Sequence, residues 1–317
     1  MEAMGSSSVF CFVATTVVFV AARKAMSKSD KSKSTSKKSK SKRKLLPNGG
    51  HMNLILIDAD ADGEYITDLS RDKEGKTTAL EVLLPSEDDR MNHIRSKLHK
   101  SQDAYVRVGL LNGYMGEAKI LPGFALQCSF KTPPPKKTNI HLVVGLCRPP
   151  AFYSTIISAV CLGVREITIV NFERVEKTLW SSHLVKYESV VECCKLGLGQ
   201  ARDTVMPKIV IKRTGGFPFE LLHGGTTFFC HPANDDQGRT QEIKQESLGN
   251  VAKSDAIIRG IDTLKLNIII GPEGGFIQRE VDAFQARGCY RLDLGKRILK
   301  VEHATIVAIM TFLAHGD

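Results

Sequence analysis

The sequence lacks the short motifs that mark the commonest metal, redox and nucleotide sites. Its eight cysteines form no Cys-x-x-Cys pair and follow no regular spacing, which favours reduced thiols packed as small hydrophobic groups over a disulfide framework. His223, Cys230 and His231 lack metal-ligand spacing, so no metal is expected. No Gly-x-x-x-x-Gly-Lys-[Ser/Thr] phosphate loop occurs. GLGQAR at 197–202 has no third glycine, so it fails the dinucleotide fingerprint and is more typical of a helix end.

A membrane-spanning run is also missing. The apolar stretch at 8–22 is shorter than the roughly 20 residues that a transmembrane helix needs, so no stable membrane insertion of the mature body is expected. It fits a signal-peptide core better, and the Ser/Lys-rich 27–44 resembles the continuation of a transit peptide. Two interpretations of 1–50 stay open. One is an organelle address, plastid or mitochondrial; the other is a disordered basic tail of a cytoplasmic protein that touches RNA or anionic lipid non-specifically.

The net positive charge comes from this N-terminal end of the chain, and the rest of the chain is close to neutral. The formal net charge is +10, and residues 23–44 contain eleven Lys or Arg and one acid, Asp30, which accounts for all of it. The basic pI near 9.2 therefore does not indicate a nucleic-acid-binding fold. The length of 317 residues and the hydrophobic content of 42% predict about two domains with a sizeable core.

The chain after the tail divides into two patterns. From 51 to 130, short apolar runs and the Asn112-Gly113 turn predict a small β-barrel. The Pro-rich stretch KTPPPKKTN at 131–139 predicts a linker. From 140 to 317, buried strands alternate with helical periods, which indicates an α/β domain with a parallel sheet covered on both faces. Its expected strands are 140–147, 166–170, 208–212, 226–231 and 266–271; its expected helices are 150–162, 179–198, 278–287 and 301–314; a long surface loop is expected at 233–262.

Two segments could contain chemistry. In NIIIGPEGGFIQREV (267–281) a buried strand runs directly into Gly271-Pro272-Glu273-Gly274-Gly275. Glycines there let a ligand approach the backbone, and ligands of open α/β sheets bind at the carboxyl ends of strands; the alternative is a tight connection without a ligand. In LGKRILKVEHATIVAIM (294–310), Gly295 predicts a bend before a helix that starts in a basic cluster. The alternative here is an ordinary amphipathic helix with a solvated basic entrance.

The two segments together match the motif pair of a known family. IGPEGGF-x-x-x-E followed by LG-x-R-I-L-K-x-E-x-A resembles the paired motifs of the RsmE-type ribosomal RNA small-subunit uridine N3-methyltransferases of the SPOUT superfamily. Weaker similarities lie in CLGVREITIVNFER, GQARDTVMP and FFCHPAN, while NHIRSKLHK and VRVGLLNG are similar to the family's RNA-binding domain. The resemblance covers about 52–315 and is strong only over 265–305.

The resemblance implies both a fold and a function. The fold is a SPOUT-type parallel sheet with a C-terminal trefoil knot, preceded by a PUA-like β-barrel domain. The protein is expected to be a homodimer that binds S-adenosylmethionine and methylates N3 of a uridine in 16S-type RNA of the small ribosomal subunit. The expected cofactor-binding residues, carried over from the motifs, lie in three loops: Phe229, Cys230, His231, Pro232, Gly271, Pro272, Glu273, Gly274, Gly275, Leu294, Gly295, Ile298 and Leu299.

The roles of the remaining candidates follow from the chemistry. Methylation at N3 needs an unpaired or flipped base and the loss of the N3 proton. Glu302 is the candidate for orienting the base or accepting that proton, and Lys300 and Arg297 could stabilise charge on the uracil oxygens or hold phosphate. The plainer interpretation of Glu302 is a carboxylate favoured by the helix dipole. The expected RNA-binding residues are Arg90, His93, Arg95, Lys97 and Lys296.

Four positions depart from the family pattern. Ser158 and Asp203 stand where lysine and arginine are usual, and Lys300 and His303 replace the usual arginine and threonine. Lysine keeps the charge of arginine but loses its bidentate geometry. Two alternatives therefore stay open: a catalytically altered SPOUT-fold protein that binds RNA or cofactor, and a SPOUT methyltransferase that acts on a different RNA.

Overall fold

The computed structural model describes residues 52–213, 217–222, 224–232, 245–247 and 265–313. The tail predicted at 1–50 lies outside the described residues, and so does most of the loop predicted at 233–262. Across the ranges that are described, no helix is long and apolar enough to cross a membrane.

The first part of the fold is a six-stranded sheet. Its strands are β1 (Ile55–Ile57), β2 (Ile66–Arg71), β3 (Thr77–Val82), β4 (Tyr105–Leu110), β5 (Met115–Ile120) and β6 (Leu126–Thr132), in the order β1-β4-β5-β6-β3-β2. All neighbouring strands are antiparallel except β1 and β4. The predicted hairpin is confirmed: Asn112 takes a left-handed φ of 57°, and Gly113 N donates to Leu110 O at 2.8 Å.

The sheet packs around one apolar core. Helix α1 (Asp89–Ser96) begins where the Asp88 carboxylate accepts from Arg90 N, and it buries Met91 and Ile94 against the sheet. In the described pairing β1 and β2 are edge strands, so the closed PUA-like barrel stays a prediction. No apolar run marks strand β2 in the sequence, because five of its six residues are exposed, which leaves little hydrophobic alternation to detect.

The second part is the expected parallel sheet. Its strands are β7 (Ile140–Gly145), β8 (Glu166–Val170), β9 (Lys208–Lys212), β10 (Thr226–Cys230), β11 (Gln245–Ser247), β12 (Leu266–Ile270) and β13 (Tyr290–Asp293). The order is β11-β13-β10-β12-β7-β8-β9, and every pair is parallel. The prediction of a parallel α/β sheet is therefore confirmed, with one correction: residues 245–247, predicted as surface loop, form an edge strand.

Within the described ranges, four helices accompany this sheet: α2 (Pro149–Cys161), α3 (Tyr187–Ala201), α4 (Gln278–Ala286) and α5 (Val301–Leu313). The helix predicted from residue 179 begins only at Tyr187, because two short 3-10 turns, Lys177–Ser181 and His183–Val185, precede it. Trp180 in the first turn is buried, and its indole N–H donates to Asn171 Oδ1 at 2.9 Å. GLGQAR ends a helix, as predicted.

The end of α3 joins the two sheets. The backbone N–H groups of Asn53 and Leu54 both donate to Gly199 O at 2.9 Å, and a Cβ at Gly199 would lie 3.1 Å from Leu54 O. Lys195 pairs with Asp58 at 2.9 Å. Residues 48–317 form a single compact unit, so the division at 131–139 into two domains stays a prediction.

Candidate functional site

One cavity of about 560 Å³ lies at the carboxyl ends of β13, β10, β12 and β7. These four strands are neighbours and parallel, so the connections that follow them meet at one edge of the sheet. Both motif segments contribute to its walls. We call residues 271–275 the glycine loop and residues 294–300 the basic loop.

The structure brings most of the predicted cofactor-binding residues together. Eleven of the thirteen line the cavity: Cys230, His231, Pro232, Gly271, Pro272, Glu273, Gly275, Leu294, Gly295, Ile298 and Leu299. Phe229 does not, because its side chain is fully buried against the rings of Phe276 and Phe284. Gly274 does not either; its carbonyl points to Arg174 on the outside of the loop.

The glycine loop is fixed by its neighbours. Glu273 Oε1 accepts a hydrogen bond of 2.7 Å from Arg148 N, which ties the loop to the connection after β7. Gly275 N donates to Pro272 O at 2.8 Å, and Gly275 has a φ of +69°, which favours glycine. Phe276, next in the chain, packs 5.0 Å from Phe172 and 5.3 Å from Phe284 between ring centroids. The loop is thus a preformed wall of the cavity.

The basic loop presents charge at the cavity mouth. Asp293 Oδ1 accepts from Gly295 N at 3.0 Å, and Gly295 has a φ of +111°, so the predicted bend is confirmed. Arg297 and Lys300 are exposed and line the cavity, and Ile298 at the rim is 90% exposed. Lys296 is exposed but is not among the lining residues.

Glu302 lies in the first turn of α5 and also lines the cavity. Its Oε2 atom is buried and has no hydrogen-bond partner within the described part of the chain. A buried carboxylate oxygen without a donor is costly, and such atoms in a cavity wall are typical of sites that bind a polar ligand. The three predicted catalytic residues, Glu302, Lys300 and Arg297, therefore share one cavity.

Nearby thiols do not provide a nucleophile. Burial, together with the charges of Glu273 and Glu302, raises the pKa of Cys147 to about 12. Burial also raises the pKa of Cys230, which lines the cavity. A raised pKa disfavours the thiolate form, so neither position favours a cysteine nucleophile.

Sequence reasoning missed part of the wall. Arg148, Pro150 and Ala151, from the start of α2, line the cavity opposite the basic loop. The Arg148 side chain is 73% exposed and lies 3.8 Å from Glu176. A signal was present, since Arg148 follows a buried strand just as the glycine loop does. The other lining residues missed are Ile270, Leu292, Asp293, Val301 and Ala304.

Two predicted RNA-binding residues have internal contacts. Arg90 pairs with Asp62 at 2.6 Å and with Asp88 at 2.7 Å, and also donates to Leu56 O at 3.0 Å. His93 is buried, with Nε2 3.0 Å from Met52 O. Because their side chains are engaged within the protein, these contacts do not support the prediction that Arg90 and His93 bind RNA. Arg95 and Lys97 are exposed, and the Arg95 guanidinium lies 4.2 Å from the centroid of the Phe124 ring.

The four departures from the family pattern have different surroundings. Only Lys300 lines the cavity; Ser158, Asp203 and His303 do not. Asp203 is buried, pairs with Lys137 at 2.7 Å and accepts from the backbone N of Thr204 and Val205. Over the described residues, no group of three or more His, Cys, Asp or Glu side chains could hold a metal ion; His223 lies outside those residues.

Comparison with known proteins gives consistent matches. The family model for the RNA methyltransferase domain matches residues 134–313. Ribosomal RNA small subunit methyltransferase E of Treponema pallidum is 27% identical over 245 residues, which are 74% of this chain and 86% of that protein. The structure of the enzyme of that name from Neisseria gonorrhoeae, bound to S-adenosyl methionine, has a TM-score of 0.55 at 18% identity and covers 82% of this chain and 98% of that one. A Legionella pneumophila structure in complex with bound SAM gives 0.55 at 16% identity, covering 82% and 97%.

Proposed function

Because this chain belongs to the RNA methyltransferase family, we propose that it transfers a methyl group from S-adenosylmethionine to N3 of a uridine in small-subunit ribosomal RNA. The family match covers more than half of the chain, and the Treponema relative and the Neisseria structure support the ribosomal substrate. The observation that carries the proposal is the cavity in which the glycine loop and the basic loop meet around Glu302, whose Oε2 atom is buried.

The cavity suits S-adenosylmethionine in size and lining. A volume of about 560 Å³ is within the range of small-molecule pockets. At Gly275 and Gly295 no atom lies within 4 Å of the position a Cβ would take, so the backbone there is open to a ligand, and Leu292 and Leu294 add apolar surface. The motif loops, together with Cys230–Pro232, would hold the nucleoside and amino-acid parts. When bound, the sulfonium cofactor supplies an activated methyl group, so the protein has mainly to align donor and acceptor.

The chain's own residues would act on the base. Glu302, whose Oε2 has no protein donor, would accept a hydrogen bond or the proton from uracil N3. Lys300 and Arg297 at the mouth would stabilise negative charge that develops on the uracil oxygens. Arg148, on the opposite wall, would contact a phosphate of the same RNA strand. The base must be unpaired to present N3, so the substrate is a single-stranded or flipped uridine.

The two alternatives are not favoured by the position of the departures. A catalytically altered protein, or one that acts on another RNA, would be expected to carry its changes in the cavity. Three of the four changes lie elsewhere, and the fourth, Lys300, keeps a positive charge at the mouth.

The direct test is methyl transfer in vitro. Purified protein is incubated with labelled S-adenosylmethionine and with small-subunit RNA from cells that lack the modification, followed by nucleoside mapping. We expect one N3-methylated uridine; fully modified RNA serves as the matched control and should accept no label. Cofactor binding without transfer would favour the catalytically altered protein, and label on another nucleoside or RNA would favour the other alternative.

We also propose a homodimer in which α5 is covered by a second copy. Ile306 and Met310, four residues apart on this helix, are 36% and 40% exposed, so they form one apolar patch on its outer face that a second copy could cover. Light scattering of the purified protein should give twice the chain mass, and Met310→Glu should shift it towards the monomer. A monomeric wild-type protein would contradict this proposal.

Three further features are proposed from the sequence alone, the first two from the family resemblance and the third from the composition of the N-terminal segment. They are a trefoil knot in the C-terminal part, a PUA-like barrel at 51–130 and an organelle address in 1–50, with a cytoplasmic location as the alternative. An experimental structure would test the first two. N-terminal sequencing of the endogenous protein would test the third, since removal of the tail is expected for a cleaved address.

A further inference from the structure

Arg174 lies outside the cavity but contacts the glycine loop. It belongs to the connection after β8, 100 residues away in the chain, and its Nη1 donates to Gly274 O at 2.7 Å. The stem of the side chain lies against Gly274, because a Cβ added there would be 3.1 Å from Arg174 Cβ and 3.3 Å from Cδ. The absence of a side chain at 274 is what allows this approach.

The hydrogen bond from Arg174 restrains the orientation of the peptide between Gly274 and Gly275, on which the turn of the glycine loop depends. The carbonyl of Gly274 and the N–H of Gly275 belong to the same planar peptide, and that N–H closes the turn onto Pro272 O at 2.8 Å. Glycine peptides rotate easily because both signs of φ are accessible. A charge-assisted hydrogen bond on one side of the plane therefore restrains the N–H on the other side.

The same connection also holds the end of the loop. Glu173 N donates to Glu280 Oε1 at 2.9 Å, and Glu280 Oε2 accepts from Ile277 N at 2.9 Å. Strand β7 lies between β8 and β12 in the sheet. Residues 173–174 therefore cross the end of β7 and hydrogen-bond to the chain on both sides of Phe276, at Gly274 and at Glu280. No residue of this connection is among those that line the cavity.

We propose that Arg174 is a positioning residue that sets the affinity for S-adenosylmethionine by holding the glycine loop in its binding conformation. The inference rests on the proposed function for the identity of the ligand. It assigns no contact with the cofactor to Arg174. The expected consequence of losing the contact is a weaker complex with an unchanged chemical step, because in such a variant the loop is less restrained only until the ligand fills the cavity.

The test compares three variants of the full-length protein. Arg174→Met keeps the stem and removes the donors, Arg174→Lys keeps one charged donor, and Arg279→Gln is the matched control. Arg279 is 80% exposed and pairs with Glu173 at 3.5 Å, so its loss removes the same charge nearby without touching Gly274. Calorimetry gives the dissociation constant, hydrogen exchange reports on 271–276 without cofactor, and kcat is measured at saturating cofactor.

Arg174→Met should raise the dissociation constant for S-adenosylmethionine about tenfold and speed exchange in the glycine loop. Its melting temperature without cofactor and its kcat should stay near wild type. Arg174→Lys should recover part of the affinity, and Arg279→Gln should match wild type. Wild-type affinity in Arg174→Met would overturn this inference alone, as would a loss of melting temperature that accounts for the weaker binding. A wild-type protein that binds no S-adenosylmethionine would overturn the proposed function as well.

Discussion

Gly145→Ala tests whether the cavity wall is as tightly packed as the structure implies. Gly145 ends β7 directly beneath the glycine loop. A methyl group at this position would lie 2.7 Å from Pro272 N, 2.9 Å from Pro272 Cδ and 2.8 Å from Phe172 Cδ2. Two of these atoms belong to the backbone and ring of a proline, so no rotamer change can move them away.

The cost follows from the size of the required shift. Non-bonded carbon atoms prefer separations of about 3.5–4.0 Å, so the glycine loop must move by about 0.7 Å or more, or the strand must bend. Overpacking of this kind lowers the free energy of unfolding by about 1–3 kcal/mol. Alanine also reduces the conformational entropy of the unfolded chain, which raises the free energy of unfolding by about 0.4–1 kcal/mol. The net loss is about 1–2 kcal/mol, or a melting temperature lower by about 3–6 °C.

The affinity for the cofactor should fall at the same time, because the displaced atoms belong to the wall of the cavity. We expect the dissociation constant for S-adenosylmethionine to rise about tenfold or more, as small misplacements of positioning groups have large effects. Gly63→Ala is the matched control, since no atom lies within 4 Å of a Cβ there. Thermal unfolding and calorimetry measure both quantities. A Gly145→Ala protein with the stability and affinity of wild type would refute the packing argument.

Four other variants separate catalysis, pH dependence, stability and RNA binding. Glu302→Gln should lower the single-turnover rate of methyl transfer about 10²-fold or more with unchanged cofactor affinity, and a rate within twofold of wild type would exclude Glu302 as the proton acceptor. Burial lowers the pKa of His141 below its usual 6.5; the unfolded chain then binds a proton that the folded protein excludes, so the free energy of unfolding should fall as pH drops below about 6.5. His141→Gln should flatten this dependence in urea titrations, and an unchanged slope would contradict it. Arg90→Met should cost about 2–4 kcal/mol of stability in the same assay, whereas a joint Arg95→Gln and Lys97→Gln change should leave stability intact and weaken RNA binding; the reverse pattern would restore Arg90 as an RNA contact.

The parallel sheet was predictable because its central strands are buried on both faces. LNIII and IHLVVG read as continuous apolar runs, and both are fully buried strands. Strand β2 could not be predicted in this way, because most of its residues are exposed and its sequence, ITDLSR, is largely polar. The late start of α3 has a similar origin: Trp180 is buried by a 3-10 turn, so an apolar residue at helical spacing is not evidence of a continuous helix.

Those parts of the site were predictable whose position in the sheet can be inferred from the local sequence alone. A glycine cluster directly after a buried strand locates a ligand loop at the carboxyl edge, and the structure places residues 271–275 there. Contacts between distant segments carry no such signal. Arg90 looked like a surface cation in its helix, yet its partner Asp62 is 28 residues away. In the same way, nothing in the order of the chain indicates that Arg174 reaches Gly274.

The four positions that depart from the family pattern differ in how closely they concern the cavity. Asp203 stands where arginine is usual, but its carboxylate is buried at the end of α3 and pairs with Lys137 of the Pro-rich segment at 2.7 Å. The Lys137 ammonium gives the Asp203 carboxylate an opposite charge, and an isolated buried carboxylate would be costly. The change therefore concerns how 133–139 is held against the sheet and leaves the cavity as it is. Of the four departures only Lys300 lines the cavity, and Lys300→Arg is the variant that tests its effect on the substrate: restored bidentate geometry should change the KM for RNA and leave cofactor affinity unaltered.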